Sequence, residues 1–126
     1  MQLFKLRCAQ GATPIEQINE DYNKAVKIGQ YRLGQEAIFY PGFPGTWYLP
    51  FASVTKALTR NTSLPLTGCC GKALPMVRLR LYYGNQEGFM DFMFEKPEEA
   101  NRALDQLLAS YPDVPYERET RPLSAL

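Results

Sequence analysis

Apolar residues recur along this chain with two periods, and the change of period separates helical from extended regions. Ile15, Ile18, Tyr22, Ala25 and Val26 fall on one face of a 3.6-residue repeat. Thr13 stands where an N-cap would, Pro14 suits the first helical position, Glu16 has capping-box spacing from Thr13, and Gly29 ends the run. The pattern predicts a first helix over 13–28. From Gln30 to Glu95 the chain turns to β-branched and aromatic residues broken by Gly, Pro and Asn, which predicts strands over 31–33, 37–40, 46–49, 54–59, 76–83 and 89–95. The clearest alternation sets Val77, Leu79, Leu81 and Tyr83 against Arg78, Arg80 and Tyr82, one face inward and one toward water. Gly84 and Asn85 open a polar turn into the next strand, so a hairpin follows. In its second arm Met90, Phe92 and Phe94 oppose Phe89, Asp91, Met93 and Glu95. Both faces are partly apolar, and the outer one is expected to lie against another surface.

The strongest period is the last. Ala100, Ala103, Leu104, Leu107, Leu108 and Tyr111 follow i, i+3, i+4, i+7, i+8, with Pro97 at the start, Glu98 and Glu99 in the first turn, and Pro112 as the stop. A helix over 97–110 follows. The stretch 113–126 shows little period and is expected to be an extended or mobile tail, and 60–75 reads as a long connection.

Composition narrows the function classes. The 126 residues carry 14 Lys and Arg against 13 Asp and Glu, a balance that argues against nucleic acid as a partner. Histidine is absent, which excludes Ser-His-Asp and Cys-His nucleophile systems and imidazole-held zinc. The cysteines are Cys8, Cys69 and Cys70. Neighbours in sequence sit about 3.8 Å apart at Cα, whereas disulfides want about 5.5 Å, so the chain reads as one kept reduced. The first eleven residues lack an apolar stretch of signal-peptide length, and no run of about 18 apolar residues occurs, so a cytoplasmic protein is expected. No cofactor and no metal are expected.

Three segments hold candidate chemistry. In Tyr40-Pro41-Gly42-Phe43-Pro44-Gly45-Thr46-Trp47-Tyr48, rigid turn residues either project Phe43 toward a partner or fold it back, with Trp47 and Phe39 in the core. Arg78 and Arg80 share a strand face, and Lys56 and Arg60 fall on a neighbouring strand; together they either grip a phosphate or carboxylate or solvate an open sheet. Gly68-Cys69-Cys70-Gly71 beside Lys72 either exposes a reactive thiol or packs a loop. The helical carboxylates Glu16, Glu20, Asp21, Glu98, Glu99 and Asp105 suit helix-end electrostatics better than an acid/base pair.

The order of elements, with the segments Leu33-Gly34-Gln35-Glu36-Ala37-Ile38-Phe39-Tyr40-Pro41-Gly42 and Thr46-Trp47-Tyr48-Leu49-Pro50-Phe51-Ala52-Ser53-Val54-Thr55-Lys56-Ala57, resembles the pleckstrin-homology-like fold, including its bacterial and GRAM-type members. The second segment is similar to the I-P-Y/F-x-x-I step that leads an edge strand of such barrels into the next. The hairpin 77–94 and the helix from Pro97 complete the resemblance, which covers roughly 30–111. It implies an α+β fold: an antiparallel β-barrel or strongly bent sheet of six to seven strands, capped by a C-terminal helix, with an extra N-terminal helix. The implied division is an N-terminal segment and helix over 1–29, the barrel domain over 30–112 and a tail over 113–126. That fold has seven strands where six are placed here, so one is missing or hidden between Asn61 and Leu74. Its lipid-binding members carry a Lys followed by Arg-x-Arg in the first hairpin, where this chain offers only Arg32, so head-group binding does not carry over.

The expectation is a small non-enzymatic binding module, with a protein partner or a second copy held at the apolar outer strand. The alternatives are a ligand carrier or enzyme with a pocket near Trp47 served by Arg78, Arg80, Cys69 or Cys70, and peripheral binding to a membrane surface. The binding residues would be Phe43, Trp47, Lys56, Arg60, Arg78 and Arg80.

Overall fold

The computed structural model describes residues 6–9, 12–42, 45–65, 73–84 and 88–121. In chain order the elements are β1 (Leu6–Cys8), α1 (Ile18–Lys24), β2 (Val26–Ile28), β3 (Tyr31–Leu33), β4 (Ala37–Gly42), β5 (Gly45–Pro50), a 3-10 turn (Phe51–Ser53), β6 (Val54–Pro65), β7 (Ala73–Tyr83), β8 (Gly88–Phe94), α2 (Pro97–Ser110) and β9 (Tyr116–Glu117). The fold is α+β, with one sheet ordered β1-β5-β4-β3-β2 and another ordered β8-β7-β6-β9.

Alternation in β7 does what its sequence demands. Val77, Leu79 and Leu81 are at most 3% exposed, and they face Phe92, Phe94 and the apolar stripe of α2. Ala100, Ala103, Leu104 and Leu107 are fully buried, and Leu108 and Tyr111 pack at the edge of the same cluster. The inner face of the five-stranded sheet supplies Ile28, Tyr31, Leu33, Ile38 and Leu49 to this core. A second core lies on that sheet's other face, where Phe39, Tyr48 and Ala37 pack with Ile18 of α1.

The first helix is shorter than its period implies. It begins at Ile18, with no side-chain bond from the cap position Gln17, and ends at Lys24; Thr13 and Pro14 stand outside it. Ile15 instead donates its N–H to the Tyr48 hydroxyl at 3.1 Å. The β-branched Val26 and Ile28, read from their spacing as the helix's last turn, pair with Leu33 and Tyr31 as a strand. Gly29 makes this possible: its φ of +63° at the first position of a two-residue turn suits a type II′ hairpin. β2 is thus a strand the sequence reading did not place, as are the short β1 and β9, and none of the three lies between Asn61 and Leu74.

Between Asn61 and Leu74 the expected connection is in large part ladder. β6 continues to Pro65 and β7 begins at Ala73, in antiparallel register. Its polar residues carry no apolar alternation, so periodicity does not see them. The two sheets are not closed into a barrel as the resemblance implied. Both are mixed, because β1 runs parallel to β5 and β9 runs parallel to β6. Passage from one sheet to the other goes through Pro50 and the 3-10 turn, where strand pairing is interrupted. On the far side the sheets meet at Tyr31, whose hydroxyl accepts the Met93 N–H at 2.9 Å.

The β3–β4 turn is fastened from both helices. The Asp21 carboxylate accepts the N–H groups of Gln35 and Glu36 at 2.8 and 3.1 Å, and Gln106 donates to the Gly34 carbonyl at 3.0 Å. A Cβ at Gly34 would fall 2.1 Å from that carboxylate, so the approach needs glycine. The tail is extended, as its lack of period suggests, but it is fixed in place through Arg121 by bonds to β6.

Candidate anion-binding face

Register decides which side chains share the outer face of the four-stranded sheet. Across β6 and β7, Arg60 stands opposite Arg78, Leu58 opposite Arg80, and Lys56 opposite Tyr82. Across β7 and β8, Arg78 stands opposite Met93, Arg80 opposite Asp91, and Tyr82 opposite Phe89. The four cations predicted as a cluster are thus on one face. A bulge between Val54 and Lys56 makes this so, since Val54 pairs with Tyr83 and Lys56 with Tyr82. Were Thr55 instead paired regularly with Tyr82, Lys56 and Arg60 would pair with Leu81 and Val77 and turn toward the core.

The four cations are not held alike. Arg80 is committed to Asp91 through a two-pronged contact at 2.7 and 3.0 Å, and its guanidinium lies 3.9 Å from the centre of the Phe89 ring. That stacking accounts for Phe89 standing 46% exposed on an outer strand. Lys56 and Arg60 both reach Glu117 of β9, at 3.4 and 3.5 Å, in exposed pairs of the kind that contribute little to stability. Arg60 also donates to the Thr59 carbonyl at 2.8 Å. Arg78 is half-buried, and its Nε is shielded from water with no acceptor among the described residues. A buried donor left unmet costs about 1–3 kcal/mol. Like charges directly across a ladder are destabilising as well. Both penalties fall between Arg60 and Arg78.

The remaining candidates lie elsewhere. Trp47 is on β5, opposite Tyr40 and half-buried, with its indole edge against Gly42, where a Cβ would fall 2.5 Å away. It belongs to a different sheet from Arg78 and Arg80 and shares no face with them, whereas Phe39 is core. Phe43, Cys69 and Cys70 lie outside the described residues. Cys8, on β1, contacts the Ala12 carbonyl at 3.6 Å, and burial pushes its thiol up, away from the reactive thiolate. Among the described residues no group of three or more Cys, Asp and Glu side chains is arranged to hold a metal ion, and no helix is long and apolar enough to cross a membrane. A cleft of about 490 Å³ opens between the β2–β3 turn and the end of β8, where Lys27, Gln30, Met76, Met93, Glu95 and Glu99 line it; none of the four cations lines it, although Met93 stands directly opposite Arg78.

Sequence reasoning missed Asp91 and Glu117 as partners of this face. Asp91 had a signal, since a hairpin folded about 84–88 brings it near Arg80; Glu117, in a segment without period, had none. Comparison with protein-family models, with curated proteins and with solved structures gave no match.

Proposed function

We propose that the chain is a non-enzymatic binding module that receives an anionic group of its partner on the outer face of β6 and β7, between Arg60 and Arg78. The observation that carries this reading is the unmet Arg78 Nε beside a second guanidinium in direct register. A guanidinium pair suits the oxygens of a phosphate or carboxylate, and the attraction should weaken as salt is raised. The pleckstrin-homology-like resemblance belongs to the same reading. The consecutive strands β2 to β8 followed by α2 support it, while β1, β9 and the open, mixed sheets depart from it. A reduced Cys8 fits a cytoplasmic setting.

The test is an amide chemical-shift titration of the full chain with sodium pyrophosphate and, separately, with hexaglutamate. Shifts should concentrate at 56–60 and 76–80, and Arg78→Gln should remove them while Arg80→Gln leaves most in place. The reading fails if neither anion moves these amides, or if the Arg78→Gln chain responds like the wild type.

A further inference from the structure

We infer that the edge of β6 turned away from β7 is a strand-addition site for an extended acidic peptide, and that the chain's own C-terminal segment occupies it in cis. Only two residue pairs of regular ladder join the segment to β6, Tyr116 with Ala57 and Glu117 with Leu58. The remaining contacts repeat at alternate residues. Pro115 offers its carbonyl to the Ala57 N–H at 3.0 Å, and Glu117 places its carboxylate between Lys56 and Arg60. Glu119 donates its N–H to the Thr59 hydroxyl at 2.8 Å and accepts the Asn61 N–H on its carboxylate at 3.0 Å. Positions 115, 117 and 119 are the period-two face of an extended peptide, and strand addition recognises that spacing: backbone bonds hold the peptide while alternate side chains select it.

What holds the segment is polar and therefore replaceable. Tyr116 is 48% exposed and Glu117 53%, while Val114, at the head of the segment, is the side chain that packs on the core cluster. A separate peptide with acids two residues apart offers β6 the same carbonyl, N–H and carboxylates. With the segment in place Thr59 is 2% exposed, and its hydroxyl accepts the Glu119 N–H. The edge is thus built to be occupied, and charge complementarity with Lys56 and Arg60 favours an acidic occupant. This inference rests on the anion-binding reading in treating those two side chains as receivers of a partner's carboxylates.

The test adds a fluorescent peptide of the sequence 112–121 to the full-length chain. In wild type the attached segment competes, so binding should be weak. In Glu117→Lys/Glu119→Lys, affinity should rise by about tenfold or more, because the open state is then well populated. Hydrogen exchange should show protection at Ala57 and Asn61 lost in this variant and restored by the peptide. Adding Lys56→Glu and Arg60→Glu should abolish binding. Should the charge reversal unfold the chain, Glu117→Gln/Glu119→Gln is read by the same criteria. A loosened chain that leaves Ala57 unprotected and still ignores the peptide overturns the proposal. So does a wild-type dimer, seen by light scattering, that the peptide dissociates, since the edge would then belong to a second copy. Pyrophosphate shifts at Arg78 that persist without peptide binding would leave the anion-binding reading intact while this one fails; their absence in wild type sinks that reading instead.

Discussion

On the five-stranded sheet, the face turned away from α2 carries Phe39 and Tyr48, 2% and 3% exposed because α1 lies across them. On the four-stranded sheet the equivalent face carries Lys56, Arg60, Arg78 and Arg80, and among the described residues no helix covers it. The difference starts in the alternate residues. Where both sets along a strand are apolar, a second layer must cover the sheet; where one set is cationic, water or a partner must meet it. Structural work is concentrated on the first sheet's outer face, and on the second sheet the outer face retains an unmet donor that packing alone does not explain.

The sharpest test of that contrast is a pair of truncations followed by denaturant unfolding. Phe39→Ala removes a ring set edge-on to Tyr22 at a centroid distance of 5.0 Å. It should cost about 3–5 kcal/mol, as large-to-small core changes do. Comparable losses from Phe39→Ala and Arg78→Gln would erase the distinction between the two faces.

A smaller effect belongs to Asp21, the helical carboxylate that caps two N–H groups of the β3–β4 turn. Asp21→Ala should cost about 1–2 kcal/mol in thermal unfolding, the worth of charge-assisted bonds partly open to solvent. No measurable loss would mean that α1 merely rests on its sheet.

The tail should respond to acid. Bonds from Arg121 and from the Asn61 N–H hold the Glu119 carboxyl down to about 2. A carboxylate depressed in the folded state supports that state fully above its unfolded pKa, about 4.3, and its support is lost as pH falls toward the folded value. Amide protection at Ala57 and Asn61 should therefore decline between about pH 4.3 and pH 2, ahead of the α2 core. Tail protection that is flat across this window would show that Glu119 is not what fastens it.

The smallest expected change is the most diagnostic. Arg78→Gln should alter stability by less than about 0.5 kcal/mol, since it removes an unmet donor and a like-charge neighbour along with the packing of the arginine stem. A loss of several kcal/mol would make Arg78 a structural residue and weaken the case for an anion beside it.

Some of this was legible in the sequence because it depends on local pattern. Val77, Leu79 and Leu81 against Arg78 and Arg80 set the two faces of β7, and the stripe from Ala100 to Leu107 set the buried face of α2. The run Val26–Ile28 was misread because its spacing fits a helix, whereas pairing with Tyr31 and Leu33 across Gly29 satisfies the same residues as a strand. Tertiary pairing overrode the period there.

The sequence by itself determined which residues seek the core and which seek water, since that preference travels with each side chain and repeats at the period of its element. Only the tertiary structure decided which charges stand together: the bulge at Thr55 that turns Lys56 and Arg60 outward, the register that sets Arg60 against Arg78, and the tail that brings Glu117 to them. Those are long-range contacts between segments whose local patterns are silent about each other, and a one-residue change in pairing would have reversed them.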